Sequence, residues 1–151
     1  MMMQIRSILY VEDNPLDIEL TMEAMKENNL VNPVIVTNDG IEALEYLRCE
    51  GKYEKRKTGN PSMILLDLKM PRMDGLELLS IIKLDPKFKR IPVVMLTSSR
   101  EEKDLVKGYD LGVNAYVVKP VDFFAFIDLV KQISAFWVIK NELPKEIAQN
   151  E

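Results

Sequence analysis

Residues 8–15, ILYVEDNP, carry the reading that decides the fold. Four apolar residues run into an acidic pair, Glu12-Asp13, and then into Asn14-Pro15. The segment behind them, 16–22 (LDIELTM), alternates strictly between apolar and polar residues, which alone would suggest a strand. Asn14-Pro15 argues otherwise, because Asn is a favoured helix N-cap and Pro a favoured first helical residue. Glu23, Ala24, Met25 and Lys26 continue with good helix formers. The stretch therefore reads as a short strand that ends on acids and turns directly into a helix.

The same unit repeats. Apolar runs at 5–12, 33–37, 63–67, 91–97 and 115–119 alternate with five longer amphipathic segments. Val and Ile dominate several runs, as in strands buried on both faces. Predicted helices follow Asn14, Asp39-Gly40 (to about Cys49), Asp74-Gly75 (stopping by Asp85-Pro86) and Glu101 (to about Leu111, with Gly112 as a left-handed cap). A fifth starts after Asp122 and reaches about Ile139. This rhythm predicts an α/β fold, a parallel sheet with helices on both sides. Residues 51–61 (GKYEKRKTGNP) form the longest structureless stretch, a surface loop or a partner contact. The expected division is one domain over 1–139 and a tail over 140–151.

Composition removes several chemistries. The 151 residues include no histidine and one cysteine, Cys49. This chain therefore builds no His-ligated metal site, Ser-His-Asp triad, intrachain disulfide or thiolate zinc cage. The formal charge of −4 gives no support for a nucleic-acid surface. No stretch approaches the ~20 apolar residues of a membrane span, and MMMQIRS is too short for a signal peptide. A cytoplasmic protein is expected, without nucleic acid or membrane as partner.

Polar residues close four of the five runs: Glu12-Asp13, Asp67 in MILLDLKMP, Thr97 in IPVVMLTSS and Lys119 in NAYVVKP. A parallel α/β sheet gathers such strand ends along its ligand crevice. Three carboxylates, a hydroxyl and an ammonium would then share one pocket. Carboxylates this close repel one another, and a divalent cation relieves the repulsion. Oxygen ligands favour Mg²⁺. Asp67 is placed to accept a phosphoryl group, with Lys119 supplying positive charge and Thr97 a hydrogen bond. Each signal has an ordinary reading by itself: Glu12-Asp13 as a helix cap, Asp67 as a loop residue, Thr97 as a strand end, and Lys119-Pro120 as a turn, with or without a cis bond. Their order along the chain gives them weight together.

The segments ILYVEDNP, LLDLKMPRMDG, VVMLTSS and YVVKP resemble the receiver domain of two-component response regulators over about residues 5–137. The resemblance implies a doubly wound, flavodoxin-like three-layer sandwich with five parallel strands in the order 2-1-3-4-5. It implies Asp67 as phosphoacceptor and Asp13 and Asp67 as direct Mg²⁺ ligands, with Glu12 acting directly or through water. It adds the backbone carbonyl of Lys69 as the third protein ligand. Thr97 and Lys119 match the pair that closes on the phosphoryl group, and Tyr116 matches an aromatic switch position coupled to Thr97. An ordinary strand aromatic is the other reading of Tyr116.

Such a domain is not an enzyme acting on a separate substrate; it assists its own phosphorylation and dephosphorylation. The loop at 51–61, the segment DPKFKRIPVV and the tail AFWVIKNELP further resemble stand-alone receivers that partner bacteriophytochrome-type histidine kinases.

The fifth predicted helix carries Phe126, Val130, Ile133 and Trp137 in one stripe, with Phe124, Leu129 and Phe136 largely off it. Phe124 and Phe136 thus mark a surface for a downstream protein or a homodimer, unless residues 138–144 fold back over it. Lys69 suggests a long-lived phosphoryl group. Three rivals stand beside this reading. A haloacid-dehalogenase-like phosphatase normally has a second Asp where Lys69 lies. A flavodoxin-like FMN carrier would need a Gly-rich phosphate loop after the first strand. The third is a receiver that binds without being phosphorylated.

Overall fold

The computed structural model describes residues 5–57 and 59–144. The strands are β1 (Ile8–Val11), β2 (Val34–Thr37), β3 (Met63–Leu66), β4 (Val93–Thr97) and β5 (Ala115–Val118). The helices are α1 (Pro15–Glu27), α2 (Gly40–Arg48), α3 (Gly75–Leu84), α4 (Glu102–Asp110) and α5 (Phe123–Ser134). All strand pairs are parallel and the sheet order is β2-β1-β3-β4-β5, the doubly wound order expected.

The period of two in each strand divides its side chains between two cores. Leu9, Val11, Ile64, Leu66, Val93 and Met95 pack with the apolar residues of α2 and α3. Ile8, Tyr10, Met63, Leu65, Val94 and Leu96 pack with those of α1 and α5. This double burial explains the near-continuous apolar runs of β1, β3 and β4.

Side chains anticipated from the sequence start four of the helices. Asn14 accepts from the amides of Leu16 and Asp17, with Pro15 at the first helical position. Asp39, Asp74 and Asp122 accept from the amides of Glu42, Glu77 and Ala125. Helix α4 has no such side-chain cap at Glu101.

Two segments differ from expectation. Part of the loop over 51–61 is ordered: a 3₁₀ turn spans Gly51–Tyr53. Arg56 donates from Nε to the Tyr46 carbonyl at 2.8 Å and stacks 4.0 Å from the centre of the Tyr46 ring. The fifth helix is α-helical only to Ser134 and then continues as a π-helical turn, Ala135–Lys140. That turn extends the helix rather than folding back. Val138 packs on the second core, while Phe124 and Phe136 stay exposed among the described residues. The described residues contain no cis peptide bond, so Lys119–Pro120 is trans. Residues 145–151 of the expected tail lie outside the described chain.

Candidate functional site

The sheet register builds the site. Val11 pairs with Leu66, so Glu12 and Asp67, the next residues, leave neighbouring strands at the same height. Thr97 pairs with Val118, which brings Lys119 to the same edge. Oxygens of Glu12, Asp13 and Asp67 lie within 4.8 Å of one another. Glu12 is buried, Asp67 nearly so, and Asp13 is exposed.

Lys119 closes the pocket. Its Nζ donates to Glu12 Oε1 at 2.8 Å and to Asp17 Oδ2 at 2.7 Å, and lies 3.7 Å from Asp67 Oδ1. Burial alone would lower the Lys119 pKa, but the hydrogen bonds to Asp17 and Glu12 overturn that and hold it above the ordinary lysine value. Burial pushes the Glu12 carboxyl up to about 7; Lys119 opposes this and the charge of Asp67 adds to it. A buried carboxyl with a raised pKa beside two further carboxylates is an all-oxygen donor set short of positive charge. It fits a hard divalent cation.

Asp67 is set by its own loop. Its Oδ1 accepts from the Leu68 amide at 2.8 Å, and the Gly75 amide donates to the Leu68 carbonyl at 2.7 Å. A Cβ at Gly75 would sit 2.2 Å from the Asp67 carbonyl oxygen, so glycine permits this close approach. The loop is also tied to the start of α2. Gly40 donates its amide to the Met73 carbonyl at 3.0 Å, and Arg72 Nε meets Asp39 Oδ2 at 2.7 Å. Arg72 adopts a left-handed backbone, φ 61°.

Burial alone would raise the Asp39 pKa, but bonds from Arg72 and the Glu42 amide hold it below the usual carboxylate range. A depressed carboxylate pKa stabilises the fold above the ordinary value of 3.8, and that contribution disappears as pH falls through the folded value. Arg72→Ala should therefore lower the melting temperature by about 2 °C at pH 7 and by less at an acid pH below the folded Asp39 value, read by thermal denaturation. Equal losses at both pH values would refute the ion-pair explanation.

Ser99 links Thr97 and Tyr116 through hydrogen bonds. The Ser99 amide donates to Thr97 Oγ1 at 3.3 Å, and the Tyr116 hydroxyl donates to the Ser99 carbonyl at 3.1 Å. Ser99 Oγ in turn donates to the buried Asp104 of α4 at 2.6 Å. Lys69 is exposed and lines a cavity of about 400 Å³ together with Asp74, Glu101, Lys103 and Asp104.

The structure thus unites Glu12, Asp13, Asp67 and Lys119, sets Thr97 beside them, and leaves Phe124 and Phe136 exposed on α5 and its extension. Sequence reasoning missed Asp17 and Ser99. The Asn14-Pro15 helix start could have pointed to Asp17, which it places on the first turn facing the strand end.

The family model of the response regulator receiver domain matches residues 8–131. The chain belongs to the response regulator receiver family. This receiver is 39% identical over 137 residues to Response regulator Rcp1 of Synechocystis sp., covering 91% of this chain and 92% of Rcp1. The structure of the phosphorylated cyanobacterial phytochrome response regulator RcpA aligns at TM-score 0.87 and 42% identity, over 94% of the receiver and 100% of RcpA. The Mn(2+)-bound form of Rcp1 aligns at TM-score 0.86 and 38% identity, over 93% and 99% of the two chains. The bacteriophytochrome response regulator AtBRR is 52% identical at TM-score 0.74, over 93% of the receiver and 100% of AtBRR. Among the described residues, no helix is long and apolar enough to cross a membrane.

Proposed function

We propose that this receiver takes a phosphoryl group onto Asp67 from the phosphohistidine of a cytoplasmic sensor histidine kinase. The observation that carries this reading is the convergence of Glu12, Asp13, Asp67 and Lys119 on one sheet edge. An Asp67 carboxylate oxygen forms a bond to phosphorus as the phosphorus–nitrogen bond breaks, and the imidazole leaves with the electron pair. Lys119 offsets negative charge on the transferred oxygens, and the Thr97 hydroxyl donates to one of them. Asp13, Asp67, Glu12 and the Lys69 carbonyl would hold Mg²⁺, which would neutralise acceptor and phosphoryl charge together.

When Thr97 turns to the phosphoryl group, it gives up the Ser99 amide. Ser99 also holds Tyr116 and Asp104, so the change reaches α4 and β5. The similarity to RcpA, Rcp1 and AtBRR supports a phytochrome-like kinase as the donor. Exposed Phe124 and Phe136 support a homodimer or downstream-protein surface on α5 and its extension. Exposed Lys69 beside the acceptor supports slow loss of the phosphoryl group.

The decisive experiment incubates the protein with Mg²⁺ and acetyl phosphate and locates the added mass by peptide mass spectrometry. The adduct is expected on the peptide holding Asp67; none, or one elsewhere, overturns the assignment.

Metal binding carries a pH signature. With Glu12 raised to about 7, its folded-state proton stabilises the metal-free protein below the ordinary value of 4.5, and this contribution is lost as pH rises through 7. Mg²⁺ should therefore bind about tenfold more tightly at pH 8 than at pH 6 and release a proton. Calorimetry in buffers of different ionisation enthalpy reads both quantities, and a pH-independent affinity would remove Glu12 from the site.

A further inference from the structure

We propose that Asp17 is a positioning residue that tethers Lys119 away from Asp67 in the unphosphorylated receiver and so slows phosphoryl uptake. The inference rests on the reading of Lys119 as counter-charge to a phosphoryl group on Asp67. An ammonium has three N–H donors. Two are engaged, by Asp17 at 2.7 Å and Glu12 at 2.8 Å, while Asp67 at 3.7 Å lies beyond hydrogen-bond distance.

Asp17 does not reach the lysine by chance rotation of a loop. It is the third residue of α1, its amide is held by the Asn14 side chain, and its carbonyl lies 3.3 Å from the hydroxyl of buried Tyr10. Pro15 fixes the same turn. The tether is therefore built into the helix start and does not depend on the lysine.

Exposure decides which of the two bonds yields. The Glu12 side chain is 1% exposed and the Asp17 side chain 21% exposed. Water can replace the lysine at Asp17, whereas losing it at Glu12 would leave a buried acid without its cation. The third donor is free, but a phosphoryl group arriving on Asp67 must draw the ammonium toward itself against the pull of Asp17. Removing that acceptor frees the lysine in advance.

The test compares wild type with Asp17→Ala and Asp17→Asn, using acetyl phosphate and Mg²⁺ and following the Asp67 adduct by intact mass. The carboxylate oxygen of Asp67 bonds to phosphorus and acetate departs with the electron pair. Asp17→Ala is expected to take up phosphate about fivefold faster, with Asp17→Asn between it and wild type. Asp17→Glu, which keeps the charge, should stay within about twofold of wild type. Glu19→Gln removes an equal charge from an exposed site on the same helix and should change nothing.

In metal-free protein, the Lys119 ammonium ¹H–¹⁵N signal should shift or broaden in Asp17→Ala and stay put in Glu19→Gln. Denaturation midpoints identify any variant that has lost its fold. A wild-type adduct with unchanged rates in both Asp17→Ala and Asp17→Asn overturns this inference alone, as does equal acceleration by Glu19→Gln. Absence of any wild-type adduct overturns the proposed function, and this inference with it.

Discussion

Asp67→Asn is expected to reduce Mg²⁺-dependent phosphoryl uptake by at least about a hundredfold while leaving the fold intact. The amide has no anionic oxygen to bond to phosphorus, and it removes one of the three carboxylates that converge on the site. The local structure tolerates the change. The substituted side chain retains an oxygen for the Leu68 amide, which now donates to Asp67 Oδ1 at 2.8 Å. The substitution also ends the repulsion between Asp67 and Glu12, one of the causes that raise the Glu12 carboxyl. The metal-free variant should therefore be at least as stable as wild type. Mass spectrometry after acetyl phosphate treatment and a urea melt together check both halves. An adduct as abundant as that of wild type would mean that another residue is the acceptor.

Gly75→Ala should be the most damaging small substitution near the site, costing about 3 kcal/mol. The new methyl would meet the Asp67 carbonyl oxygen at 2.2 Å, the Leu68 Cα at 2.9 Å and the Asp67 carbonyl carbon at 3.1 Å. These are backbone atoms of the Asp67 loop, so the clash cannot be relieved by turning a side chain. Gly40→Ala provides the contrast. Its nearest contacts would be the Met73 side chain: Cγ and Sδ at 2.7 and 2.8 Å, which can turn away, and Cβ at 2.9 Å, which needs a small backbone shift. Gly75→Ala should lower the melting temperature by about 10 °C, and Gly40→Ala by less than half of that. Equal losses would mean that the close approach of Gly75 to the Asp67 carbonyl has no special cost.

Most of the architecture is written in local signals. The runs at 8–11, 63–66 and 93–97 had to be buried on both faces, and they are. Asn14, Asp39, Asp74 and Asp122 announced helix starts through chemistry that acts over a single turn. The pocket was legible because parallel strands carry their end residues to one edge, so Glu12, Asp67, Thr97 and Lys119 needed no tertiary detail to be brought together.

What escaped depends on contacts that no short window contains. Lys119 and Asp17 meet across 102 residues, through a long side chain whose direction is settled only when the pocket forms. Nothing in the sequence around Ser99 sets it apart from other polar residues that follow strands, and its partners became visible only with α4 and β5 in place. The 3₁₀ turn at Gly51–Tyr53 lay hidden because Tyr53 and Arg56 order that loop by reaching back to Glu42 and Tyr46 of α2. The π-helical end of α5 has no periodic signature distinct from an α-helix over six residues.

Helix α4 has a consequence for how far a small chemical change can act. Its residues buried to the level of a core are Asp104 and Gly108, and its apolar Val106 and Tyr109 face outward. The central strands are held by extensive apolar area, and moving them would require a whole core to repack. Among the described residues, none of α4 joins either apolar core, and the helix is held in part by polar bonds such as Ser99 to Asp104. An interaction of the size supplied by one bound anion is comparable to those bonds and far smaller than the packing of the sheet. The molecule thus sets a densely packed sheet under Asp67 and a helix with little apolar anchorage next to it.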